Sequence, residues 1–550
     1  MKILNTPNVQ QNSQRQNGQK ANPSFKGGEA FIQVLNFLET NQALGATAVD
    51  VGCMGVPRTM TDFSRGPDAG LETMRREFSS TIVDALIGVY GIGAALLISQ
   101  AFNKKYDVKA HKMLISDEAL EISHDTWKES KGSMKDYLTQ IAKKTKGFGE
   151  NGWTGIDNVQ EKFVNKMMTE VESTDKLSKE AHAYLKNLLA NGTGAEKSFK
   201  LEVKLDKKGK DGEDLFKTAV SNLDAYIDDV YKVAKALSKK GVKDTFGNFD
   251  NVESAFFKKL KGLNKTTSIM GIAFAAALGC SLQPINMYLT RKKTGKTGFV
   301  GVEGREPDNT KGFKVLKVIA AATAGLAVLG TIGKKPSEVL SAIKFKGFFP
   351  TIPQYKFVYG FTIISRLLSA RDKNELRESS IKDSLGFANW LILGGFVSKL
   401  TAAGFEKMAR FKDDKFIRHN EAEHGKGFWK WLTEAPIVSR EEILHTAFKK
   451  AKISTMKLVD GKEVAKTFKE MLKEAPKEVK TKIKYLGFIQ MAGYVYSGIV
   501  LGVGIPKLNI AITNGIEKKR KAKLEAAKAA QPAVAATPSA AQTAAPQAKA

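Results

Sequence analysis

Apolar and charged residues are segregated along this chain into long uncharged runs joined by lysine-rich connections. Thr266–Thr290 holds 25 residues without Asp, Glu, Lys or Arg, and Val318–Gly333 holds 16. Between them lies the basic, glycine-rich stretch Arg291–Lys314. A helix that crosses a bilayer needs about 20 apolar residues, because only a helix pairs its own backbone groups in hydrocarbon. The pattern therefore predicts a membrane hairpin over 265–334 with a basic connection. Ala85–Asn103 is uncharged for 19 residues and extends back to Ser79, giving a span over 79–103. Ser384–Ser398 is uncharged for 15 and continues past a snorkelling Lys399 to Phe405. With the weaker Gly347–Ala370, interrupted by Lys356 and Arg366, it predicts one or two spanning or re-entrant segments over 347–405. Tyr485–Pro506, uncharged for 22 residues, gives the last span, over 485–506. The expected fold is all-α: a multi-pass integral membrane helical protein of five or six spans with inserted soluble helical domains.

Two polar segments separate these runs. Residues 104–264 carry amphipathic periodicity near 115–130, 133–146, 157–172, 176–190, 213–239 and 250–261, with Ser133 as an N-cap and Asn191-Gly192 as a stop. Phe199, Leu201, Val203 and Leu205 alternate with charged residues, a strand pattern followed by a turn sequence. Residues 406–484 read as a second basic helical domain, with Val459-Asp460-Gly461-Lys462 as a tight hairpin turn. Over 29–78 the pattern gives one amphipathic helix, with Phe31, Val34, Leu35 and Leu38 on a shared face, then a loop at 47–70 punctuated by glycine and proline. The Asn/Gln-rich residues 1–28 and the Ala/Pro/Lys-rich residues 517–550 have the composition of disordered tails, with the Lys/Ala part, 517–530, readable as helix or tail. The N-terminus lacks the apolar core of a cleavable signal, so insertion is expected to begin at an internal span.

Charge sharpens this picture. The net charge is +29, which attracts polyanions. Cations beside spans face lipid headgroups, at about 1 kcal/mol per Lys or Arg near an anionic surface. Arg291, Lys292, Lys293 and Lys296 are thus the candidate headgroup-binding residues. Anionic membrane lipids are the expected partners, with a second copy of the chain as a further one; nucleic acid is not expected. The excess of Lys and Arg over 291–314 places that loop in the cytoplasm and residues 104–264 outside. Gly88, Gly91 and Gly93 predict a close helix-packing face. Asp84, an acid near a span, is expected to pair with Arg75 or Arg76.

Candidate chemistry is sparse. The two cysteines, Cys53 and Cys280, are expected as unpaired thiols. Glu-x-x-His occurs at Glu121/His124, Glu421/His424 and Glu442/His445, and such pairs hold metals in di-iron bundles. The segments carrying them are polar, so solvated helix faces are the simpler reading, and no metal or cofactor is expected. Gly295-Lys296-Thr297 resembles the end of a phosphate loop, but Thr290 stands where its first glycine belongs. The expectation is a non-enzyme: a membrane scaffold or envelope-organising protein with basic lipid-facing loops. The alternatives are a transporter or channel, with Gln283-Pro284 and Asn389 as its polar or helix-breaking positions, and a metal-dependent membrane enzyme using the Glu-x-x-His pairs.

Three segments are familiar: NPSFKG (22–27), RGPDAGLETMRRE (65–77) and QPINMYLTRKKTGKTGFVGVEGREP (283–307). They resemble segments of an uncharacterised family of multi-pass membrane proteins from uncultured, host-associated bacteria. The resemblance implies a bacterial inner-membrane setting and brings with it no activity, ligand or site residue.

Overall fold

Among the described residues the long uncharged runs lie mostly in helix, and the charged residues gather at the two ends of the resulting bundle and in one region of its interior. The computed structural model describes residues 26–40, 42–146, 159–193, 199–208, 214–221, 223–246, 254–302, 304–347, 350–389, 395–408, 415–417 and 426–529. Of the disordered tail expected over 1–28, residues 1–25 lie outside these, as does the Glu421/His424 pair, and residues 26–28 begin the first helix.

Helices α1 (Lys26–Thr40) and α2 (Gln42–Val49) lead through a π-helical turn, Asp50–Gly55, into α3 (Val56–Phe63). The predicted loop at 47–70 is therefore mostly helix. Its prolines sit in the first turns of α3 and of α4 (Pro67–Ala85), where the missing N–H has no helical partner to lose. Gly66, at φ 128°, makes the turn between them. Helix α5 (Ile87–Ile98) follows α4 at a bend of 50°, and α6 (Gln100–Tyr106) closes this part.

The first polar segment folds as α7 (Asp117–Glu129), α8 (Met134–Lys143), β1 (Thr145–Lys146), α9 (Val159–Ser173), α10 (Lys179–Thr193), β2 (Phe199–Lys208), β3 (Asp214–Ser221), α11 (Leu223–Leu237) and α12 (Lys240–Lys243). Ser133 caps α8, accepting from the Asp136 N–H at 3.3 Å. The helix predicted from 213 begins only at Leu223, because 214–221 pairs antiparallel with β2, Thr218 opposite Glu202. Trp127, Tyr137, Phe163, Leu185 and Ile227 are buried at the centre of this domain.

Helix α13 (Ala255–Thr294) is 40 residues long, roughly 60 Å at 1.5 Å per residue. Phe256, Phe257 and Leu260 in its first turns belong to the polar domain's core; the rest enters the bundle and passes through Pro284 unbroken. Then come α14 (Lys311–Gly330), α15 (Pro336–Ala342), α16 (Ile352–Ser369), α17 (Lys373–Phe387) and α18 (Phe396–Glu406). The second polar segment holds α19 (Phe428–Glu434), α20 (Arg440–Lys450), the hairpin β4 (Met456–Val459) and β5 (Lys462–Ala465), and α21 (Phe468–Glu474). Asp460 and Gly461, at φ 50° and 74°, form the predicted two-residue turn. Finally α22 (Lys477–Tyr496) continues through a π-helical stretch, Ser497–Gly504, into α23 (Ile505–Ala529). Residues 517–529 are thus helix, the first of the two readings their composition allows, rather than part of a disordered tail.

Among the described residues, three helices are long and apolar enough to cross a membrane: Ala255–Thr294, Lys311–Gly330 and the continuous run Lys477–Ala527. Counting the bent pair α4–α5 as one span makes four. Their apolar side chains do not form the centre of a globule. Only 17% of the apolar window of α14 is buried, and its Leu326 is 72% exposed. Apolar helices exposed to this degree are compatible with a membrane-embedded protein. The 347–405 segment supplies α16, α17 and α18, none of which meets that test of length and hydropathy.

The bundle has a polar end and a basic end. At the polar end the two polar segments meet: Lys186 pairs with Glu441 at 2.7 Å, and Asn187 Nδ2 donates to the carbonyls of Thr455 and Lys466 at 3.3 and 3.1 Å. At the basic end Arg75 reaches Asn286 and Thr290 at 2.9 and 2.7 Å, and Arg305 pairs with Glu517 at 2.7 Å.

Candidate functional site

Beneath the basic end lies a buried network of charges drawn from α3, α4, α16 and α17. Arg65 donates both terminal nitrogens to Glu378, at 2.7 and 2.9 Å. Arg371 joins Glu72 at 2.5 Å and Glu375 at 2.9 Å. Arg366 pairs with Asp383 at 2.8 Å and lies 3.9 Å from Glu77. Glu77 also takes Arg76 at 3.1 Å and Arg58 at 3.4 Å. Lys382 stands 3.9 Å from Asp62, which accepts from the Thr73 hydroxyl at 2.5 Å. Six cations thus face six carboxylates. Phe299, from the basic connection, lies under two of the guanidinium groups, 5.1 Å from Arg65 and 5.7 Å from Arg371.

This arrangement balances charge rather than offering chemistry. Moving one ion from water into a low-dielectric interior costs several kcal/mol, which only close pairing offsets. The cavity among Asp62, Arg65, Glu72, Arg76 and Lys382 measures about 20 Å³, room for about one water molecule. Arg366, read from sequence as an interruption of an apolar run, is one of the network's centres. The single sequence signal for the rest was the density of charge over 371–383 so close to apolar segments.

The four candidate headgroup-binding residues lie at the basic end. Arg291, Lys292 and Lys293 are exposed in the last turn of α13 and make no ion pair with another described residue. Lys296 is also exposed but reaches Asp68 at 3.2 Å. Gly295, at φ 69°, caps α13 with its N–H on the Arg291 carbonyl at 2.8 Å; it is a helix stop and not part of a phosphate loop. Two further groups, outside the four candidates, lie here. Lys311 and Lys314 are exposed in the first turn of α14, beyond Gly295 in the same connection. The Arg305–Glu517 pair brings α23 alongside, so exposed Lys518, Lys519, Lys521 and Lys523 extend the same basic surface.

Asp84 lies elsewhere, and without the expected arginine partner. Arg75 is engaged by α13 and Arg76 by Glu77. Asp84 is 1% exposed, and neither carboxylate oxygen has a hydrogen-bond partner among the described residues. Helix pair α4–α5 runs antiparallel to α13: Glu72 meets Asn286 near the basic end, and Gly91 meets Gly271 toward the polar end. Asp84 falls between these two levels. Its acidic neighbour Asp50 is also buried and accepts from the Thr81 hydroxyl.

The two described Glu-x-x-His pairs have structural uses. Glu442 belongs to the capping box at the start of α20, and His445 is buried at 2% exposure. Glu121 pairs with Lys261, while His124 meets Asp125 at 3.1 Å and accepts the Ser254 N–H at its Nε2 at 3.2 Å. Among the described residues no group of three metal-ligating side chains occurs. Cys53 and Cys280 are free thiols. Lys399 does not snorkel: it is buried and donates to the Leu432 carbonyl.

No known protein family, curated protein or solved structure matches the chain.

Proposed function

We propose that this is a multi-pass membrane protein with a non-catalytic, envelope-organising role, which grips an anionic leaflet by its basic end. The observation that carries the reading is the convergence of exposed cations from three separate elements, the end of α13, the start of α14 and the last turns of α23, on one end of an apolar bundle. In this reading α16 and the α17–α18 run cross together with the four apolar segments, giving six crossings. The bacterial inner membrane fits, with the basic end in the cytoplasm. The charge network beneath holds the crossing helices in register and leaves room for little more than a water molecule.

The test is lipid selectivity of the full chain in a neutral detergent. Phosphatidylglycerol should bind in preference to phosphatidylcholine, and the preference should fall as NaCl rises from 50 to 500 mM. Replacing Arg291, Lys292 and Lys293 with Gln should weaken it by about 3 kcal/mol at low salt, on the order of a hundredfold. Binding indifferent to both salt and headgroup charge would overturn the proposal.

A further inference from the structure

At the opposite end of the bundle, where the first polar domain meets α5, the structure holds a cavity of about 630 Å³. That size suits a small ligand. Its wall is apolar: Ile92, Val108, Met113, Leu114 and Leu177 line it. Its rim is basic. Three of the rim lysines are already neutralised, Lys239 by Asp107 at 2.9 Å, Lys235 by Asp175 at 3.6 Å and Lys232 by Asp229 at 3.7 Å. The other three, Lys109, Lys112 and Lys176, are exposed and make no ion pair with another described residue. The rim therefore carries net positive charge over an apolar chamber.

The rim is also built rather than incidental. Asn103 fixes the 107–112 loop from within, its Oδ1 accepting the Ala110 N–H at 2.9 Å and its Nδ2 donating to the Ser99 hydroxyl at 3.0 Å. Asp107 turns the chain at φ 52°, which presents Lys109 and Lys112 on either side of His111. The His111 Nδ1 is buried and lacks a partner among the described residues. Helix α5 gives Ile92 to the wall and, further along, carries Leu96 and Leu97 exposed at 48% and 75%.

We propose that this cavity binds an anionic single-chain amphiphile taken from the adjoining leaflet, its chain against Ile92, Met113 and Leu177 and its carboxylate or phosphate head among Lys109, Lys112 and Lys176. An apolar wall alone would accept any chain, and the unpaired lysines alone any anion; only a molecule with both parts satisfies the two together. The site is at the other end of the molecule from the proposed lipid-gripping surface and does not depend on it.

The full chain in phosphatidylcholine nanodiscs, titrated at pH 8 with a fluorescent fatty acid, tests this, with empty nanodiscs subtracted. Saturable binding of one fatty acid per chain is expected, and the matching fatty alcohol should bind at least tenfold more weakly. The variant carrying Lys109→Gln, Lys112→Gln and Lys176→Gln, all at exposed positions that leave the fold intact, should lose that preference. The variant with Arg291, Lys292 and Lys293 changed to Gln should keep it. Inorganic phosphate at millimolar concentration should not displace the fatty acid. Binding no greater than in empty nanodiscs, a fatty acid preference unchanged in the triple rim variant, or displacement by phosphate alone would each overturn the proposal.

Discussion

Asp84 shows how much one side chain can cost when its surroundings do not answer it. A buried acid without a partner bears its desolvation unrelieved, and here the nearest acid, Asp50, adds to the cost. Asp84→Leu replaces the unpaired acid with an apolar side chain of similar size. It should raise the melting temperature of the detergent-solubilised protein, by an amount equivalent to roughly 1–3 kcal/mol; a lower melting temperature would show that the carboxylate has a partner. His445 poses the converse problem in the second polar domain. Burial, opposed by Glu441 and reinforced by Lys186, pushes its pKa down to about 4. The folded value lies below the ordinary 6.5, so the unfolded chain binds the proton more readily. Its contribution is intact above pH 6.5 and is lost as pH falls from 6.5 through about 4, by about 3 kcal/mol in all. Melting curves of the native chain and of His445→Gln, compared between pH 7.5 and 4.5, should diverge in slope, with the native chain losing stability faster.

Among the elements, α5 and α13 approach each other backbone to backbone. A Cβ built on Gly271 would lie 2.9 Å from the Gly91 Cα and 2.8 Å from the Phe345 ring. Backbone against backbone cannot yield as a flexible side chain can. Gly271→Leu should therefore part the two helices and cost at least the 1–3 kcal/mol typical of overpacking, read as a fall in melting temperature, whereas Gly93→Ala, where an added Cβ meets nothing within 4 Å, should be nearly silent. That Gly91 packs closely was legible in the sequence, because small residues clustered in an apolar run have few other uses. The Asp460-Gly461 hairpin was legible too, since its turn is specified by two adjacent residues. Longer-range features were hidden. Strand β3 has a helix-like pattern, and its register is set by β2, on the far side of a turn. The loop predicted at 47–70 failed because proline and glycine also begin helices. Most hidden of all was the charge network. Arg65 and Glu378 are 313 positions apart, and a solvated charged face and a buried one have the same composition.

For the molecule as a whole, the long helices tie opposite properties to opposite ends. Helix α13 starts in the core of the first polar domain and finishes at Arg291–Lys293, and the run from Lys477 starts in the second polar domain and finishes among the lysines beyond Glu517. Each polar domain is therefore separated from the basic surface by a helical run long and apolar enough to cross a membrane. Short loops rich in Lys and Arg are retained in the cytoplasm, while long segments translocate largely regardless of charge. The lysine-rich composition of residues 104–264 is thus no obstacle to an outside location, and both polar domains should share it. With Cys53 and Cys280 replaced by Ser, single cysteines at Lys143 and Lys473 should react with a membrane-impermeant maleimide added to intact spheroplasts. Cysteines at Lys293 and Lys519 should react only in inverted vesicles. The pairing matters more than the absolute side: if Lys143 and Lys293 label from the same face, the apolar helices between them do not cross, and the basic surface cannot be the leaflet-gripping end of a membrane bundle.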